Sequence, residues 1–221
     1  MNILISGMTC SGKTSLSNQL SHELNILHFE EDWYFKNKED IKCTSKGYLM
    51  DLPSSFHLDE FKKDVKTLIE EKETYTPVYD IKTNKRINKT RLVKSSEIII
   101  FEGLHTISTL KDLRNTLKVF IDIDKELALT RRIERDKKYG ISEEEIKRYF
   151  NEVIMSIYKS HIASQKKEAD IILNGGDDIK CLSKKLQTYL WMLKDLMKYS
   201  EQMKMKLKTY IENMQKYVIR I

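Results

Sequence analysis

The chain of 221 residues contains no uninterrupted apolar stretch of about 18 residues, the length that a membrane-spanning helix needs. We therefore expect no transmembrane helix and no membrane partner. The N-terminus also lacks a basic region followed by an apolar core of about 7 to 15 residues, so we expect no secretion signal. The length suits one well-buried domain with room for an appendage.

Cysteine is scarce as well. The three cysteines, Cys10, Cys43 and Cys181, are odd in number and lack the spacing of metal ligands. Cys10 lies within a glycine-containing loop near the N-terminus, where a disulfide would block the loop. A reducing, cytoplasmic environment fits this distribution best.

The net charge of the chain is +6, but most of the chain has no excess of basic residues. Ten of the 39 Lys and Arg residues lie in Lys180–Ile221, together with only three of the 33 Asp and Glu residues. The first 179 residues are close to neutral, with 29 basic and 30 acidic residues. A nucleic-acid groove would spread basic and aromatic residues across the body of the protein. We therefore expect a small-molecule substrate and no nucleic-acid partner.

What the chain does have is a glycine-containing loop between an apolar run and a helical segment. The strand-like run Ile3–Ile5 leads into Gly7-Met8-Thr9-Cys10-Ser11-Gly12-Lys13-Thr14, and Ser15–Leu24 is predicted to be a helix. The loop follows the pattern Gly-x-x-x-x-Gly-Lys-Thr of a phosphate loop. A chance turn carrying Lys-Thr is the alternative, and the strand before it and the helix after it count against that alternative.

The residue types of this loop predict phosphate chemistry. Gly7 and Gly12 permit a backbone that points successive N–H groups at a phosphate chain, and the helix N-terminus adds partial positive charge. Lys13 would reach the β and γ phosphates, and the Thr14 hydroxyl would ligate Mg²⁺. We predict that ATP and Mg²⁺ bind here, with the nucleotide held by Gly7, Thr9, Cys10, Ser11, Gly12, Lys13, Thr14 and Ser15.

Acidic residues stand at the ends of two further predicted strands, where open α/β sheets bind ligands. Asn25–Phe29 is followed by Glu31 and Asp32, and Asp32 is the candidate general base; a solvated acidic turn is the alternative. Ser96–Gly103 is a near-continuous apolar run, typical of a buried parallel strand. Its Glu102 would hold Mg²⁺ through water or contact the substrate.

Two more predicted strands, Lys118–Ile123 and Ala169–Leu173, complete an α/β fold of the P-loop NTPase type, with a five-stranded parallel sheet flanked by helices. The alternating, turn-rich segment 74–94 is predicted to form a small β-hairpin outside that sheet. Ser142 is a plausible N-cap, with Glu145 in a capping box. Further helices are predicted over Asp59–Glu71, Lys125–Tyr139 and Glu143–His161.

One predicted helix carries arginines three and four positions apart. Arg131, Arg132 and Arg135 can therefore share one helix face. Planar guanidinium groups suit the charge that develops on a transferred phosphoryl group, as a lid over ATP would require. The alternative is an exposed amphipathic helix in which Glu134 and Asp136 are surface partners.

Several short segments occur in the order and at spacings similar to those of one kinase family. They are Glu31-Asp32-Trp33-Tyr34-Phe35-Lys36, Asp51 with Pro53, Thr76-Pro77-Val78-Tyr79-Asp80 followed by Arg86, Ile100-Phe101-Glu102-Gly103, Arg131 to Asp136, and Ala169-Asp170-Ile171-Ile172. With the phosphate loop, they resemble the uridine kinase family, within the wider group that includes phosphoribulokinase and nicotinamide riboside kinase. The resemblance covers about Met1–Gly176, some four-fifths of the chain.

The resemblance implies an ATP- and Mg²⁺-dependent kinase for the 5′-hydroxyl of a ribonucleoside such as uridine or cytidine. It implies that Asp32 deprotonates that hydroxyl, because an unassisted alcohol is a poor nucleophile at neutral pH. Lys13 would balance charge on the γ-phosphoryl group together with Arg132 and Arg135 from the lid.

The same resemblance implies the residues of the acceptor and metal sites. Asp51 would bind the ribose hydroxyls, and Tyr79 and Arg86 of the hairpin would line the acceptor pocket. Glu102 would support the acceptor or the metal. The implied metal set is Thr14, Asp32 and Glu102. No other metal is indicated, since His28, His57 and His161 form no cluster with the cysteines.

Three positions depart from the family pattern. Asn84 stands where these kinases place a base-contacting histidine, Ile141 stands in a shortened segment without a second arginine, and Arg148 stands where a glutamine is expected. The identity of the acceptor is therefore open. The alternatives are a kinase of the same fold for nicotinamide riboside, pantothenate or a sugar, and a non-catalytic nucleotide-binding scaffold. A GTPase is disfavoured, because Asn84-Lys85-Arg86-Ile87 lacks the aspartate that guanine recognition needs.

The C-terminal segment is predicted to be a separate helical extension, 180–221, beside a kinase domain, 1–179. Apolar residues recur there in steps of four and three, without Pro or Gly. The seam consists of Leu182, Leu186, Tyr189, Leu193, Leu196, Ser200, Met203, Leu207, Tyr210, Met214, Tyr217 and Ile221. We predict a homo-oligomer formed through this helix; packing of the helix on its own domain is the alternative.

Overall fold

A computed structural model describes residues 1–196 of the chain. Its strands and helices are, in chain order, β1 Asn2–Gly7, α1 Lys13–Leu24, β2 Leu27–Glu30, β3 Cys43–Thr44, β4 Gly47–Tyr48, α2 Leu58–Glu71, β5 Glu73–Asp80, β6 Lys85–Lys94, β7 Ile99–Glu102, α3 Thr106–Thr109, β8 Thr116–Asp122, α4 Lys125–Asp136, α5 Glu143–Tyr149, α6 Met155–Ile157, β9 Ile171–Asn174 and α7 Ile179–Leu196.

The main sheet has five parallel strands in the order β2-β7-β1-β8-β9. The predicted α/β fold is therefore confirmed. The central strand β1 is buried along its whole length, because helices cover both faces of a parallel sheet and exclude water from it. Strand order brings the carboxyl ends of β1, β2 and β7 side by side, which is where the candidate site lies.

An aromatic cluster fills one side of the sheet. Phe29 of β2 and Phe101 of β7 lie 5.6 Å apart between ring centroids, and Tyr34 meets Phe61 of α2 at 5.3 Å. All four side chains are fully buried. The helix predicted over Asp59–Glu71 is confirmed as α2, and the packing of its buried face fixes the turn that follows β2.

A second apolar cluster joins the phosphate loop to the arginine-bearing helix α4. Met8 packs with Ala128 and Leu129 of α4 and with Phe150 and Ile154. Because these side chains are buried together, α4 is held at a fixed distance from the loop. The arginines of α4 are thereby directed toward the loop.

The predicted hairpin is confirmed as β5 and β6, paired antiparallel outside the main sheet. Its turn ends at Asn84, whose φ of 53° is left-handed, a conformation that asparagine tolerates better than most residues. The Asn84 carbonyl accepts a hydrogen bond from the Lys38 N–H at 3.0 Å. Asn84 therefore has a structural role in the turn.

The segment predicted as one helix over Glu143–His161 is helical but not uniformly α. Ser142 is confirmed as the N-cap, since its Oγ accepts a hydrogen bond from the Glu145 N–H at 3.3 Å. After α5 the chain forms π-helical turns over Phe150–Ile154 and Tyr158–Ile162. Such turns are often found at functional sites.

The chain divides into two units, Met1–Ile179 and Lys180–Ile221. In the second unit, helix α7 is described as far as Leu196, and its seam positions Leu182, Leu186, Tyr189 and Leu193 follow the predicted steps. The seam positions from Ser200 to Ile221 lie outside the described residues, and the oligomer stays a prediction. Within residues 1–196, no helix combines the length and apolar character needed to cross a membrane.

Candidate active site

The phosphate loop connects β1 to α1, and two glycines determine its path. A Cβ at Gly7 would overlap the carbonyl oxygen of Ile121 on the neighbouring strand. Gly12 has a φ of 98°, which favours glycine. The loop can therefore pass close to β8 and turn its N–H groups into the space above α1, as the sequence predicts.

Lys13 and Thr14 open helix α1 at the floor of the site. The Lys13 side chain is buried, and its ammonium donates to the Met8 carbonyl at 3.2 Å. The Thr14 hydroxyl donates to Glu102 Oε2 at 3.0 Å. A hydroxyl and a carboxylate oxygen are ligands that Mg²⁺ prefers, so this donor set fits the predicted metal.

Asp32 lies in the short turn that follows β2. Although the residue is exposed, the surrounding protein disfavours its charged form and raises its pKa, and the Glu102 carboxylate raises that pKa further. The Lys13 ammonium acts in the opposite direction. Asp32 is therefore open to solvent and within reach of both charges, and its pKa is displaced toward the range that suits a general base.

The neighbouring Glu31 has a different role. It is fully buried, and its carboxyl accepts hydrogen bonds from the His105 N–H at 3.0 Å and from the Thr106 hydroxyl at 2.9 Å. Burial raises its pKa to about 8. A Cβ at Gly103 would overlap the Glu31 Cβ, so the two strand ends are in direct contact. Glu31 therefore connects the turn that carries Asp32 to the segment that follows β7. The sequence did not reveal this role of Glu31.

Asp51 is buried, and its Oδ2 has no hydrogen-bond partner among the described residues. Its carbonyl accepts from His105 Nε2 at 2.8 Å, which fixes the backbone of this segment. Burial lowers the pKa of His105 to about 4, so its ring is neutral near pH 7. Asp51 is close enough to Asp32 for their charges to interact. It therefore offers an unpaired oxygen near the candidate base, while His105 is a residue that sequence reasoning missed.

The two predicted hairpin residues are placed differently. Tyr79 lies on the Asp32 side: its ring is 5.5 Å from that of Phe35, and burial together with the Asp32 charge raises its pKa to about 12. Arg86 instead donates to both carboxylate oxygens of Glu60, at 2.8 and 2.7 Å. Arg86 also lines an open groove of about 580 Å³ that is bordered by neither Asp32 nor Asp51.

The arginines of α4 reach the phosphate loop. Arg132 donates to Thr9 Oγ1 at 3.1 Å, and Arg131 donates to the carbonyls of Cys10 and Gly175 at 3.4 and 2.8 Å. The helix is therefore not simply an exposed amphipathic one.

Asp136 is buried rather than a surface partner. Its carboxylate receives Arg132 Nε at 2.9 Å and Arg135 Nε at 2.7 Å. One carboxylate thus orients both proposed lid arginines. The sequence showed the arginines but not the residue that aligns them.

His28 is less ordinary than the sequence suggested. Its Nε2 lies 3.4 Å from Glu102 Oε2, and Nδ1 is 3.0 Å from Asn18 Oδ1. Strand register places Glu30 beside Glu102, and the three groups offer ligand atoms within 4.8 Å of one another. The sequence showed only that His28 forms no cluster with the cysteines, whereas the structure places it beside the carboxylates of Glu30 and Glu102.

Comparison with known proteins identifies the family. A model of the Phosphoribulokinase / Uridine kinase family matches residues 3–181. The chain belongs to this family. It is 30% identical over 202 residues to a uridine kinase of Lactobacillus johnsonii, covering 86% of this chain and 95% of that protein. It is 31% identical over 199 residues to a uridine kinase of Bacillus pumilus, covering 84% and 93%.

A solved structure supports the fold of the Phosphoribulokinase / Uridine kinase family for this chain. The phosphoribulokinase from Rhodobacter spheroides matches with a TM-score of 0.54, covering 78% of this chain and 70% of that one, at 19% identity. As a member of the family, the protein is a P-loop phosphotransferase that acts on a hydroxyl. The predicted family and enzyme class are confirmed.

The departures from the family pattern also have structural explanations. Asn84 forms the hairpin turn, and Ile141 is exposed at 38%. Arg148 is exposed, whereas the next residue, Tyr149, is partly buried and contacts Arg132. Successive helix residues point about 100° apart, so only one of the two can face the site. The structure therefore places Tyr149, and not Arg148, against the arginine helix.

Proposed function

We propose that this phosphotransferase uses ATP and Mg²⁺ to phosphorylate the 5′-hydroxyl of a ribonucleoside, with uridine or cytidine as the acceptor. The main support for this proposal is that Asp32, Lys13 and the unpaired oxygen of Asp51 lie close together at one edge of the sheet. The similarity to proteins named uridine kinase over most of their length supports a nucleoside acceptor.

The donor phosphates are bound by the backbone N–H groups of the phosphate loop and by the Lys13 ammonium. In the structure that ammonium donates to the Met8 carbonyl of the same loop, at 3.2 Å. Thr14 and Glu102 would hold Mg²⁺, with Asp32 as the third group of the set. When bound, Mg²⁺ neutralises charge on the β- and γ-phosphate oxygens.

Asp32 accepts the proton of the acceptor hydroxyl as that oxygen forms its bond to the γ-phosphorus. The bond between the γ-phosphorus and the β–γ bridging oxygen breaks, and ADP leaves. Arg132 and Arg135, aligned by Asp136, balance the charge on the transferred group. Positioning and charge carry most of this catalysis.

The acceptor is held opposite the phosphate loop. Asp51 accepts hydrogen bonds from two neighbouring hydroxyls of a ribose, for which its unpaired Oδ2 is available. Tyr79 and Phe35 form an aromatic wall for the base. Arg86 contributes by holding the hairpin in place, because its guanidinium is paired with Glu60 of α2.

A second candidate is a kinase of the same family with another small hydroxyl acceptor. The use of Asn84 as a turn residue favours it, since the hairpin then lacks the base-contacting histidine that the family pattern places there. Nicotinamide riboside, pantothenate and free sugars are the acceptors to compare.

The test is incubation of the purified full chain with ATP, Mg²⁺ and each acceptor, followed by mass spectrometry. The proposal expects uridine or cytidine 5′-monophosphate together with ADP. Product formed only from a non-nucleoside acceptor would replace the nucleoside assignment with the second candidate. Absence of any phosphorylated product would favour the nucleotide-binding scaffold.

A further inference from the structure

Tyr149, the last residue of α5, contacts the short ribbon formed by β3 and β4. Its hydroxyl donates a hydrogen bond to the Tyr48 carbonyl. Its ring lies against Gly47, where a Cβ would be 3.2 Å from the Tyr149 ring. Gly47 also has a φ of 117°, which favours glycine. The ribbon backbone and the Tyr149 ring are therefore in close contact at Gly47, which has no side chain to separate them.

The same ring contacts the arginine helix. The Arg132 guanidinium carbon lies 5.7 Å from the centroid of the Tyr149 ring, within cation–π range. Arg132 is also bonded to Thr9 of the phosphate loop and to Asp136. Its side chain is only 13% exposed, which strengthens such contacts. Tyr149 is thus a neighbour of the arginine that reaches the donor side.

The ribbon leads directly to the acceptor side. Asp51 follows Tyr48 by three residues, and its charge is among the influences on the Tyr149 hydroxyl. Burial, with Asp51, raises the pKa of Tyr149 to about 12, so the hydroxyl keeps its proton and remains a donor. A continuous set of contacts therefore runs from the Asp51 segment through Tyr149 and Arg132 to Thr9.

We propose that Tyr149 is a positioning residue that couples the acceptor segment to the lid, so that an acceptor bound at Asp51 aligns Arg132 over the donor phosphates. The inference rests on the proposed function. Coupling between two binding sites is reciprocal, so bound nucleotide strengthens acceptor binding by the same factor. The hydroxyl supplies the link to the ribbon, and the ring supplies the link to Arg132.

The test measures uridine binding by calorimetry with and without Mg²⁺ and a non-hydrolysable ATP analogue, alongside turnover of the same samples. In the wild-type chain we expect the analogue to tighten uridine binding by about fivefold or more, the lower end of common couplings. Tyr149→Phe keeps the ring but loses the hydrogen bond to Tyr48. We expect it to lose most of this enhancement while its affinity without the analogue stays within about twofold.

Tyr149→Leu removes both links and should abolish the enhancement. Tyr75→Phe is the matched control, since Tyr75 is 65% exposed on the outer face of the hairpin, and it should behave as wild type. Thermal unfolding confirms that each variant is folded.

Undiminished enhancement in Tyr149→Phe, or an equal loss of affinity with and without the analogue, would overturn the coupling role while leaving the kinase assignment intact. A wild-type chain that turns over uridine without any enhancement would do the same. A wild-type chain that neither binds nor turns over uridine would overturn the proposed function, and the coupling with it.

Discussion

At the scale of single residues, Glu31 and Asp32 show how adjacent carboxyls acquire different roles. Asp32 is exposed and feels the Lys13 charge, whereas Glu31 is buried and accepts hydrogen bonds from the His105 N–H and the Thr106 hydroxyl. The sequence allowed the prediction of Asp32 from its place after a strand. It could not separate the two carboxyls by environment, because the partners of Glu31 lie more than 70 residues away in the chain.

The first prediction concerns the proposed base. Asp32→Asn keeps the size of the side chain but cannot accept the proton of the acceptor hydroxyl. We expect turnover to fall by about 10²- to 10⁴-fold, the usual contribution of a general base, with nucleotide affinity unchanged within about twofold. Steady-state kinetics and nucleotide titration check this, and turnover close to wild type would remove Asp32 from the role.

The second prediction concerns stability and pH. The pKa of Glu31 is raised to about 8 in the folded protein from 4.5, so its contribution is complete at low pH and is lost as pH rises through 8. Glu31→Gln resembles the neutral carboxyl and lacks this titration. We expect the stability difference, wild type minus variant, to decrease between about pH 5 and 8. Urea unfolding at several pH values measures it; parallel pH curves would show that Glu31 does not titrate in this range.

At the scale of elements, helix α4 is both a core helix and a support for catalytic groups. Ala128 and Leu129 pack with Met8 in the first half of the helix, while Arg132 and Arg135 meet Asp136 in its second half. The arginine spacing was readable from the sequence because it depends on helix geometry alone. The burial of Asp136 was not readable, since it depends on how α4 packs against the rest of the chain.

The third prediction tests this arrangement. Asp136→Ala leaves two partly buried guanidinium groups without their shared partner, so both lose a fixed orientation. We expect turnover to fall by about 10²-fold through misplacement of the arginines. Glu134→Ala, a change of a charged neighbour on the same helix, is the control. Equal kinetics for the two variants would show that Asp136 does not align the lid.

The π-helical turns after α5 illustrate a limit of pattern reading. Apolar spacing and the Ser142 cap predicted a helix over the whole segment, and both features are present. A π-turn adds one residue to a turn without changing which residues are apolar, so hydrophobic spacing does not reveal it.

At the scale of the whole molecule, the parallel sheet collects the site from distant parts of the chain. The phosphate loop and Glu102 could be assigned from sequence because each ends a strand of recognisable type. The residues that hold the site together could not, because Glu31, His105 and Tyr149 act through tertiary contacts.

The fourth prediction concerns assembly. If the seam of 180–221 joins copies of the chain, removing residues 197–221 deletes most of its apolar positions and should lower the oligomeric state. Light scattering coupled to size-exclusion chromatography measures the mass of each form. An unchanged oligomeric state on truncation would contradict a role for the seam, whereas a monomeric full-length chain would show that the seam joins no copies.

The contact between Gly103 and Glu31 has an evolutionary consequence. The overlap involves the Cβ of Glu31, so shortening the side chain at position 31 as far as alanine would not relieve it. Only a glycine at position 31 would make room for a side chain at position 103. Homologues that keep this geometry should therefore show linked substitution at the two positions, with glycine present at one or both, and an alignment of the family can be searched for that signature.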